Sequence, residues 1–428
     1  MRNYFRLIYI ACTLLKHRNN PARALEKLGP AFIKLGQFLS TRPDLIGIKL
    51  ATSFAYLRDQ LPSFTFKEVE AIIASELGEP LNQIYCQFDE TPVAAASIAQ
   101  VHKAMTIDGQ QVAVKIRRPG ISKQLAKEIQ FFYFVAKKIE YFFPRYKRLK
   151  LQQVVRTLEN SFNFELDLRL EAAAADELLQ QNKLEYVHIP KIDWLHTSEK
   201  VMTMEWIEAI SIYERAKLIE AKIDLTELAR NFAIMFFSQA FDHGFFHADL
   251  HQGNIMVDKQ GKLVLLDFGI MGRLDYKNRI YVAQILHGFL KRDYYLIAKL
   301  HHRAGYVSKK YMLENFAQAC RAIGEPIMNL PPEKISIAKL LGQLFKITED
   351  FQMETQPQLL LLQKTMIMVE GIGKILCPEK NLWILAEHWI KEWGKNNASI
   401  EARTAKIIKR IFTRILEQME EQDDSFKD

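Results

Sequence analysis

The residues with the clearest capacity for chemistry form one run in the middle of the 428-residue chain. This run, HADLHQGN, extends from His247 to Asn254, and Asp267-Phe268-Gly269 follows it. The order and spacing match an H-x-D-x-x-x-x-N loop and a D-F-G turn, which are typical of phosphoryl transfer. That chemistry needs a carboxylate beside the attacking group, and Asp249 is the candidate. It also needs oxygen ligands for Mg²⁺, and the candidates are Asn254 and Asp267.

An alternative interpretation of the same region is a zinc site. His243, His247 and His251 recur every four residues, a spacing that would suit zinc if the segment were a helix. Gly244 and Gly253 within this polar segment argue against a continuous helix. We therefore favour phosphoryl transfer over a metal-dependent hydrolase.

A lysine that could bind phosphates lies upstream of the catalytic run. The strand pattern Val112-Ala113-Val114-Lys115 places a lysine where kinases hold the α- and β-phosphates. A loop of small residues precedes it, at the position where kinases have a glycine-rich loop, and contains Ala94, Ala95, Ala96 and Ser97. Each alanine Cβ restricts φ and limits how closely backbone amides approach a phosphate. We therefore expect this alanine loop to bind nucleotide differently from a glycine-rich loop.

The partner of Lys115 should come from a helix that follows its strand. The segment from Glu165 to Glu171 supplies three acidic side chains. On a continuous helix, Asp167 and Glu171 would share one face, and Glu165 and Arg169 another. We predict that Glu171 pairs with Lys115.

A further motif, Lys34-Leu35-Gly36-Gln37, lies in the N-terminal part of the chain. The spacing of the surrounding apolar residues predicts a helix in which Lys34 and Gln37 lie opposite the apolar face. Taken alone, such a polar face is more often solvated than functional.

Composition limits the classes of protein that fit this chain. Hydrophobic residues make up 49% and charged residues 25%, which is typical of a folded globular protein. The four cysteines are widely spaced, match neither a disulfide framework nor a zinc motif, and suit a reducing compartment. No span has the roughly 18 uncharged apolar residues that a membrane helix needs, so we expect none.

Basic charge is concentrated in three stretches. Residues 1–60 carry ten Lys or Arg against three acidic residues, and residues 123–150 carry eight against two, interleaved with aromatics. Between Arg403 and Arg414, basic and apolar residues alternate at helical spacing. Such surfaces suit anionic lipid headgroups, although a solvated helix face is the commoner explanation of each stretch alone. No nucleic-acid reading motif accompanies the charge, so nucleic acid is not an expected partner.

The elements around these motifs predict an α+β protein with two lobes. A helix is predicted at Phe66–Leu77, strands at Gln111–Ile116 and Val201–Trp206, and a hairpin between the catalytic loop and the D-F-G turn. Almost everything after Asp275 has a helical pattern. We divide the chain into a helical N-terminal extension (1–85), a small nucleotide-binding lobe (86–206), a helical catalytic lobe (207–395), and a basic amphipathic helix with a polar tail (396–428).

Together these motifs resemble the UbiB family of atypical protein-kinase-like proteins, whose members support ubiquinone biosynthesis. The resemblance covers nearly the whole chain, and residues 356–371 resemble a helix of the family's C-terminal lobe. The K-x-G-Q motif combined with the alanine loop is specific, because ordinary protein kinases and small-molecule kinases lack both.

The resemblance implies a two-lobed protein-kinase-like fold with a helical N-terminal extension and an enlarged helical C-terminal lobe. It implies ATP or ADP with Mg²⁺ as cofactors, Asp249, Lys115 and Glu171 as catalytic residues, and Asn254 and Asp267 as metal ligands. The expected nucleotide contacts are Ala94, Ala95, Ala96, Ser97, Lys115, Glu205 and Ile207. The expected lid is formed by Lys34 and Gln37, which would meet Glu165 and Asp167 and block the space of a protein substrate.

The implied activity is Mg²⁺-dependent ATP hydrolysis or phosphoryl transfer in support of ubiquinone biosynthesis. The resemblance implies a peripheral position at the cytoplasmic face of the bacterial inner membrane. The implied partners are an anionic membrane surface, polyprenyl-phenol lipids and other enzymes of ubiquinone biosynthesis.

Two alternatives belong to other classes of protein. A small-molecule kinase similar to the aminoglycoside and choline kinases is disfavoured by the K-x-G-Q motif and the alanine loop. A nucleotide-binding scaffold without turnover is disfavoured because the full set of chemical residues is present: Lys115, Glu171, Asp249, Asn254 and Asp267.

The alanine loop generates a testable expectation. Ala94→Gly or Ala95→Gly should change the ratio of ATP affinity to ADP affinity, because removing Cβ lets backbone amides approach the phosphates more closely. Calorimetric titration of each variant with both nucleotides in the presence of Mg²⁺ measures this ratio. Unchanged affinities for both nucleotides in both variants would contradict the expectation.

Overall fold

A computed structural model describes residues 2–40, 46–47, 50, 53–54, 57, 62–143, 150–308, 310–330, 334–351 and 357–398. The chain divides into two compact units. The first comprises Met1–Ser211, His247–Met271 and Leu359–Lys364, and the second comprises Ile212–Phe246, Gly272–Gln358 and Thr365–Asp428. The predicted basic helix near residues 403–414 lies outside the described residues.

The described elements contain both helices and strands, so the predicted α+β class is confirmed. Up to Ser211 they are α1 (Arg2–Lys16), α2 (Pro21–Leu28), α3 (Pro30–Ser40), α4 (Phe66–Leu77), α5 (Leu81–Ile84), β1 (Tyr85–Phe88), β2 (Ala94–Ala95), β3 (Ala99–Thr106), β4 (Gln111–Arg117), α6 (Ile121–Phe142), α7 (Leu151–Leu166), α8 (Leu168–Gln181), β5 (Val187–His188), β6 (Ile192–Asp193), β7 (Val201–Glu205) and β8 (Ala209–Ser211).

The remaining elements follow from Ile212 onward. They are α9 (Arg215–Glu220), α10 (Leu225–Phe237), a π-helix (Ser238–His243), β9 (Phe245–His247), β10 (Ile255–Asp258), β11 (Leu263–Leu265), β12 (Met271–Arg273), α11 (Tyr276–Leu290), α12 (Tyr294–Ala304), α13 (Leu313–Met328), α14 (Ile337–Asp350), α15 (Pro357–Leu376), α16 (Leu382–Leu385) and α17 (Glu387–Ala398).

The main sheet of the first unit is an antiparallel sheet in the order β1-β3-β4-β7-β6, with β2 added against β3. Side chains of β3 alternate in burial, as expected for a strand with one face on a core. In the ladder, Lys115 of β4 lies opposite Val101 of β3 and Met202 of β7. The central position of β4 fixes the height and the face at which the Lys115 side chain leaves the sheet.

Helix α4 covers the core face of this sheet, where Val69 and Ile73 are fully buried. It begins with a capping box between Thr65 and Glu68 and ends at Gly78, whose φ is +80°. The sequence predicted a helix from Phe66 to Leu77 from its helical pattern and from Gly78 and Pro80 after it, and the structure has the same bounds.

Helices α2, α3, α6 and α7 share a second core in the first unit. Phe32 of α3 meets Phe132 of α6 edge to face, with 5.2 Å between ring centroids. Leu158 and Phe162 of α7 are buried in the same cluster. This core ties the helix that carries Lys34 to α6 and α7.

A smaller sheet in the order β5-β11-β10-β8 also belongs to the first unit. Its central hairpin, β10 and β11, pairs Ile255 with Leu265, which confirms the hairpin predicted between the catalytic loop and the D-F-G turn. The loop that precedes the hairpin and the turn that follows it therefore emerge side by side at one end.

The second unit is almost wholly helical in its described part, as predicted for the region after Asp275. Its core is rich in aromatic side chains, including the fully buried Phe232, Phe236 and Phe289. Among the helices described in either unit, none combines the length and the apolar character needed to cross a membrane.

Candidate active site

The catalytic loop leaves β9 at His247 and reaches Asp249 two residues later. The imidazole of His247 is fully buried, with Nε2 3.0 Å from the carbonyl oxygen of Leu266. The N–H of Asp249 donates to Nδ1 of His247 at 3.2 Å, so these partners assign a neutral ring that donates from Nε2. Burial lowers the pKa of His247, which keeps the ring neutral. His247 therefore orders the backbone on both sides of the site without adding charge.

Asn254 and Asp267 lie at the same end of the β10–β11 hairpin. The N–H of Leu266 donates to the carbonyl oxygen of Asn254 at 2.8 Å. The amide nitrogen of Asn254 donates to the carbonyl oxygen of Asp249 at 2.9 Å, which directs the amide oxygen away from that carbonyl. Asp267 has a φ of +57°, a left-handed conformation that Asp adopts more readily than most residues. One amide oxygen and one carboxylate are hard ligands, so these residues fit Mg²⁺.

Histidine-ligated zinc receives no support from the same region. Within the described ranges, no three His, Cys, Asp or Glu side chains converge as a metal site. His243 ends the π-helix, His247 ends β9, and His251 lies in the loop, so the three do not share a helix face.

Lys115 extends its ammonium group between two carboxylates. Its Nζ is 2.6 Å from Oε1 and 2.9 Å from Oε2 of Glu171, and 3.3 Å from Oδ2 of Asp267. The side chains of Lys115 and Glu171 are 13% and 7% exposed, whereas that of Asp267 is 49% exposed. The predicted pairing of Lys115 with Glu171 is present, and Asp267 is the third member of a triad.

The electrostatics of this triad follow from burial and from the sharing of one cation. Burial opposes the charge of Lys115, but Asp267 and Glu171 outweigh it and raise the pKa of the ammonium. The partial burial of Asp267, whose side chain is half exposed, opposes its charge, but Lys115 and Lys34 hold the pKa of that carboxyl well below its usual range. Burial raises the pKa of Glu171, an effect that Lys115 opposes. The triad thus keeps a charged lysine beside an ionised Asp267.

The acidic segment that supplies Glu171 is not one continuous helix. Asp167 lies between α7 and α8 with φ −105° and ψ 98°. Its carboxylate accepts the backbone N–H of Arg169 at 3.1 Å and binds the guanidinium of Arg169 at 2.9 and 2.7 Å. The predicted helix faces shared by Asp167 with Glu171 and by Glu165 with Arg169 were wrong, because Asp167 caps α8 instead of continuing α7.

Lys34 of the K-x-G-Q motif reaches the end of α7. Its Nζ is 2.5 Å from Oε2 of Glu165, and the two side chains are only 12% and 13% exposed. Asp167, the other predicted acidic partner of the lid, binds Arg169. The structure therefore brings Lys34 to Glu165, whereas the carboxylate of Asp167 is engaged by Arg169.

The other two residues of the motif are constrained by packing. A Cβ on Gly36 would lie 2.3 Å from Cδ1 of Leu57 and 2.6 Å from Cδ1 of Leu25, so glycine allows the close approach of these side chains. The side-chain oxygen of Gln37 is buried and has no hydrogen-bond partner among the described residues. A buried acceptor of this kind suits a ligand that can donate to it.

The alanine loop (Ala94–Ser97) forms a tight hairpin with β3. The N–H of Ala96 donates to the carbonyl oxygen of Ala99 at 2.8 Å, and Arg118 binds the carbonyl oxygen of Ala96 at 3.1 Å. Ser97 is fully buried. Since the Ala96 amide already bonds within the hairpin, the loop offers fewer free amides to phosphates than a glycine-rich loop.

Glu205 and Ile207, the predicted hinge contacts, follow β7. The carboxylate of Glu205 accepts the N–H of Lys191 at 3.2 Å and lies 3.2 Å from Nε2 of His188. Ile207 lies in the link between β7 and β8. Because the Glu205 side chain is engaged, a nucleotide contact at this residue would come from its backbone.

Two side chains beside Asp249 were not among the predicted site residues. Nζ of Lys364, on α15, lies 3.6 Å from Oδ1 of Asp249, and Nε2 of His251 lies 3.8 Å from Oδ2. His251 could have been found because it belongs to the catalytic loop. Lys364 lies in the segment 356–371 that resembles a family helix, but no role in the site was predicted for it.

The fold and the site define a class. A lysine on a central strand paired with a helix acid, together with an H-x-D loop, a hairpin and a D-F-G turn, is the arrangement of a protein-kinase-like nucleotide site. Residues 56–301 match the ABC1 atypical kinase-like domain, and residues 320–381 match the UbiB helical domain. The chain therefore belongs to the UbiB family of ABC1 atypical kinase-like proteins, as its motifs indicated.

Two bacterial relatives have the same family name. The chain is 40% identical over 375 residues to "Probable protein kinase UbiB" of Marinobacter nauticus, covering 86% of this chain and 69% of that relative. It is 37% identical over 384 residues to the protein of the same name in Pseudomonas putida strain W619, covering 89% and 71% respectively.

A solved structure supports the same fold. The Rv3197 protein of Mycobacterium tuberculosis, determined as a complex with erythromycin, aligns with a TM-score of 0.55 and 24% identity. The alignment covers 89% of this chain and 97% of that chain. At this identity the similarity concerns the fold alone.

The triad predicts a large cost for removing its only cation. Lys115→Met should destabilise the protein by about 3–5 kcal/mol at neutral pH, because Glu171 would remain buried without a counter-ion. Combining Lys115→Met with Glu171→Leu should recover most of that loss, since both buried ions are then replaced. Urea unfolding followed by circular dichroism measures both effects.

A surface ion pair provides the control for this experiment. Lys259, 80% exposed, pairs with Glu208, 57% exposed, and Lys259→Met should cost less than about 1 kcal/mol. A double variant as unstable as Lys115→Met alone would show that the uncompensated Glu171 carboxylate is not the cause.

Proposed function

We propose that this protein is a Mg²⁺-dependent ATPase or atypical kinase that supports ubiquinone biosynthesis. The observation that carries the proposal is the triad of Lys115, Glu171 and Asp267 adjoining the catalytic loop of Asp249 and Asn254. Membership of a kinase-like family supports the use of ATP, and the name of the relatives supports the link to ubiquinone.

Each side chain has a role that follows from its chemistry and surroundings. Lys115, held by Glu171, orients the α- and β-phosphates of ATP. Asp267 and Asn254 would hold Mg²⁺, which neutralises phosphate charge when bound. Asp249, which precedes Asn254 in the same loop, accepts the proton of the attacking water or hydroxyl group.

The K-x-G-Q motif favours hydrolysis or a small acceptor over a protein substrate. Lys34 is anchored to Glu165 and lies close enough to Asp267 to lower the pKa of that carboxyl. A helix fixed in this position occupies space next to the reacting phosphate. We therefore propose water or a small lipid-borne hydroxyl group as the acceptor.

The two alternatives make different demands on the same residues. A small-molecule kinase would phosphorylate a soluble alcohol such as choline or an aminoglycoside, and it would not need the lid motif. A scaffold without turnover would keep its cellular function without Asp267. Both can be separated from the proposal by activity and complementation.

Asp267→Asn should lower ATP turnover by about 100-fold or more, because the replacement removes the charge that balances the metal and Lys115. Phosphate release from purified protein in the presence of Mg²⁺ measures turnover. Asp275→Asn is the matched control, because Asp275 caps α11 and bonds Asn278 of that helix, and Asn is about as good a cap. Turnover by Asp267→Asn at the rate of the unsubstituted protein would refute the assigned roles.

The same variants separate enzyme from scaffold in cells. In cells that lack this protein, the unsubstituted chain should restore ubiquinone, whereas Asp267→Asn should not. Full restoration by Asp267→Asn would favour the scaffold instead.

We also propose that the protein binds the cytoplasmic face of the inner membrane through α1. Helix α1 exposes Phe5, Ile8, Tyr9 and Leu15, which are between 60% and 71% exposed. An ion pair from Arg6 to Glu128 and an edge contact of Tyr4 with Phe134 hold α1 on α6. An exposed apolar helix face within a basic segment suits the interface of an anionic bilayer.

Tyr141, Phe142 and Phe143, at the end of α6, are also exposed and belong to a basic stretch. This second apolar group lies on a helix in contact with α1. We propose that the protein binds polyprenyl-phenol lipids and partner enzymes of ubiquinone biosynthesis at this membrane surface.

Phe5→Glu combined with Ile8→Glu should weaken binding to vesicles by about ten-fold or more, because two exposed apolar side chains that would enter the bilayer become charged. Co-sedimentation with vesicles containing phosphatidylglycerol and cardiolipin measures the binding. Ile107→Glu changes an equally exposed side chain in the β3–β4 turn and should leave binding unchanged. Equal binding by the α1 variant and the control would place the membrane contact elsewhere.

A further inference from the structure

The active site receives a lysine from outside the kinase-like part of the sequence. Nζ of Lys364 lies 3.6 Å from Oδ1 of Asp249, and the two side chains are 17% and 22% exposed. The kinase-like domain match ends at residue 301, whereas Lys364 lies in the match to the helical domain, residues 320–381. The segment Leu359–Lys364 nevertheless belongs to the same compact unit as the catalytic loop.

The catalytic loop has no permanent cation of its own. Its residues from His247 to Asn254 include neither lysine nor arginine. Lys115 is already shared between Glu171 and Asp267, and Lys34 is paired with Glu165. Lys364 therefore supplies a positive charge that the loop sequence lacks.

The two oxygens of Asp249 face two different side chains. Oδ1 faces Lys364 at 3.6 Å, and Oδ2 faces His251 at 3.8 Å. A carboxylate with a lysine ammonium beside one of its oxygens has a preferred rotation about its last side-chain bond. Since a catalytic base must point at the proton that it accepts, this rotation matters for the reaction rate.

We infer that Lys364 is a positioning residue that acts through Asp249, so that the helical domain of the family completes the active site. Lys364 pairs with Asp249 at one oxygen and leaves the carboxylate aimed at the attacking group. This inference rests on the proposed function, because positioning is read out through ATP turnover. It goes beyond the proposed function in that α15, through Lys364, contributes to the rate of ATP turnover.

Steady-state ATP hydrolysis tests the role of the charge. Lys364→Met should lower kcat by about ten-fold or more and leave KM for ATP and the affinity for ADP within about two-fold, since the phosphates are held elsewhere. Lys364→Arg should restore most of kcat, because it keeps the charge. Lys374→Met, an exposed lysine later on the same helix, is the matched control and should match the unsubstituted protein.

A double variant tests whether Lys364 acts through Asp249. If it does, Asp249→Asn with Lys364→Met should turn over no more slowly than Asp249→Asn alone. A further loss by the same factor in the Asp249→Asn background would overturn the inference, as would full kcat in Lys364→Met.

A measurement without turnover keeps this inference separate from the proposed function. Acetylation of lysines by limiting acetic anhydride, read by mass spectrometry, should label Lys364 several-fold faster in Asp249→Asn than in the unsubstituted protein, with Lys374 unchanged. Equal labelling of Lys364 in both proteins would show that the ion pair is absent in solution and would overturn the inference. Absence of ATP turnover in the unsubstituted protein, with labelling of Lys364 that depends on Asp249, would refute the proposed function and leave the ion pair standing.

Discussion

The ammonium group of Lys115 is shared by two carboxylates that come from distant parts of the chain. Glu171 approaches from the first turn of α8, where the helix dipole favours a negative side chain, and Asp267 approaches from the end of a hairpin. Buried ions stabilise a protein only when they are paired, so both elements must be held where Lys115 can reach them. The register of β4 between β3 and β7 is the underlying constraint, because a slip of one residue would turn Lys115 to the opposite face.

The chemistry was predictable from the sequence wherever it is local. Asp249, Asn254 and the D-F-G turn lie within one short stretch, and the hairpin between them is fixed by strand and turn signals. Helix α4 was predicted to the residue from its helical pattern and the Gly78 and Pro80 that follow it, and the structure adds a capping box at its start. The helix partner of Lys115 was predicted despite its distance, because a strand lysine in a kinase-like arrangement pairs with an acid of a following helix, whereas its second partner, Asp267, was not predicted.

Other features depend on tertiary contacts that no local pattern records. The break at Asp167 could not be separated from a continuous helix, since an acidic residue before a helical run suits both a cap and a helix face. The contact of Lys364 with Asp249 joins two segments that are far apart in the sequence, and their separation does not predict that they meet. The need for glycine at position 36 can be explained only from the structure, because Leu25 and Leu57 pack closely against it.

The alanine loop bears on the design of chemical probes for this family. Glycine-rich loops can fold down over an inhibitor and improve its fit, whereas a hairpin braced by the Ala96–Ala99 bond and by Arg118 keeps its own shape. Inhibitors whose affinity depends on closure of that loop lose this part of their affinity when the loop is held in place. Selectivity over ordinary kinases is therefore to be sought in flat, rigid scaffolds whose outline matches the alanine side chains.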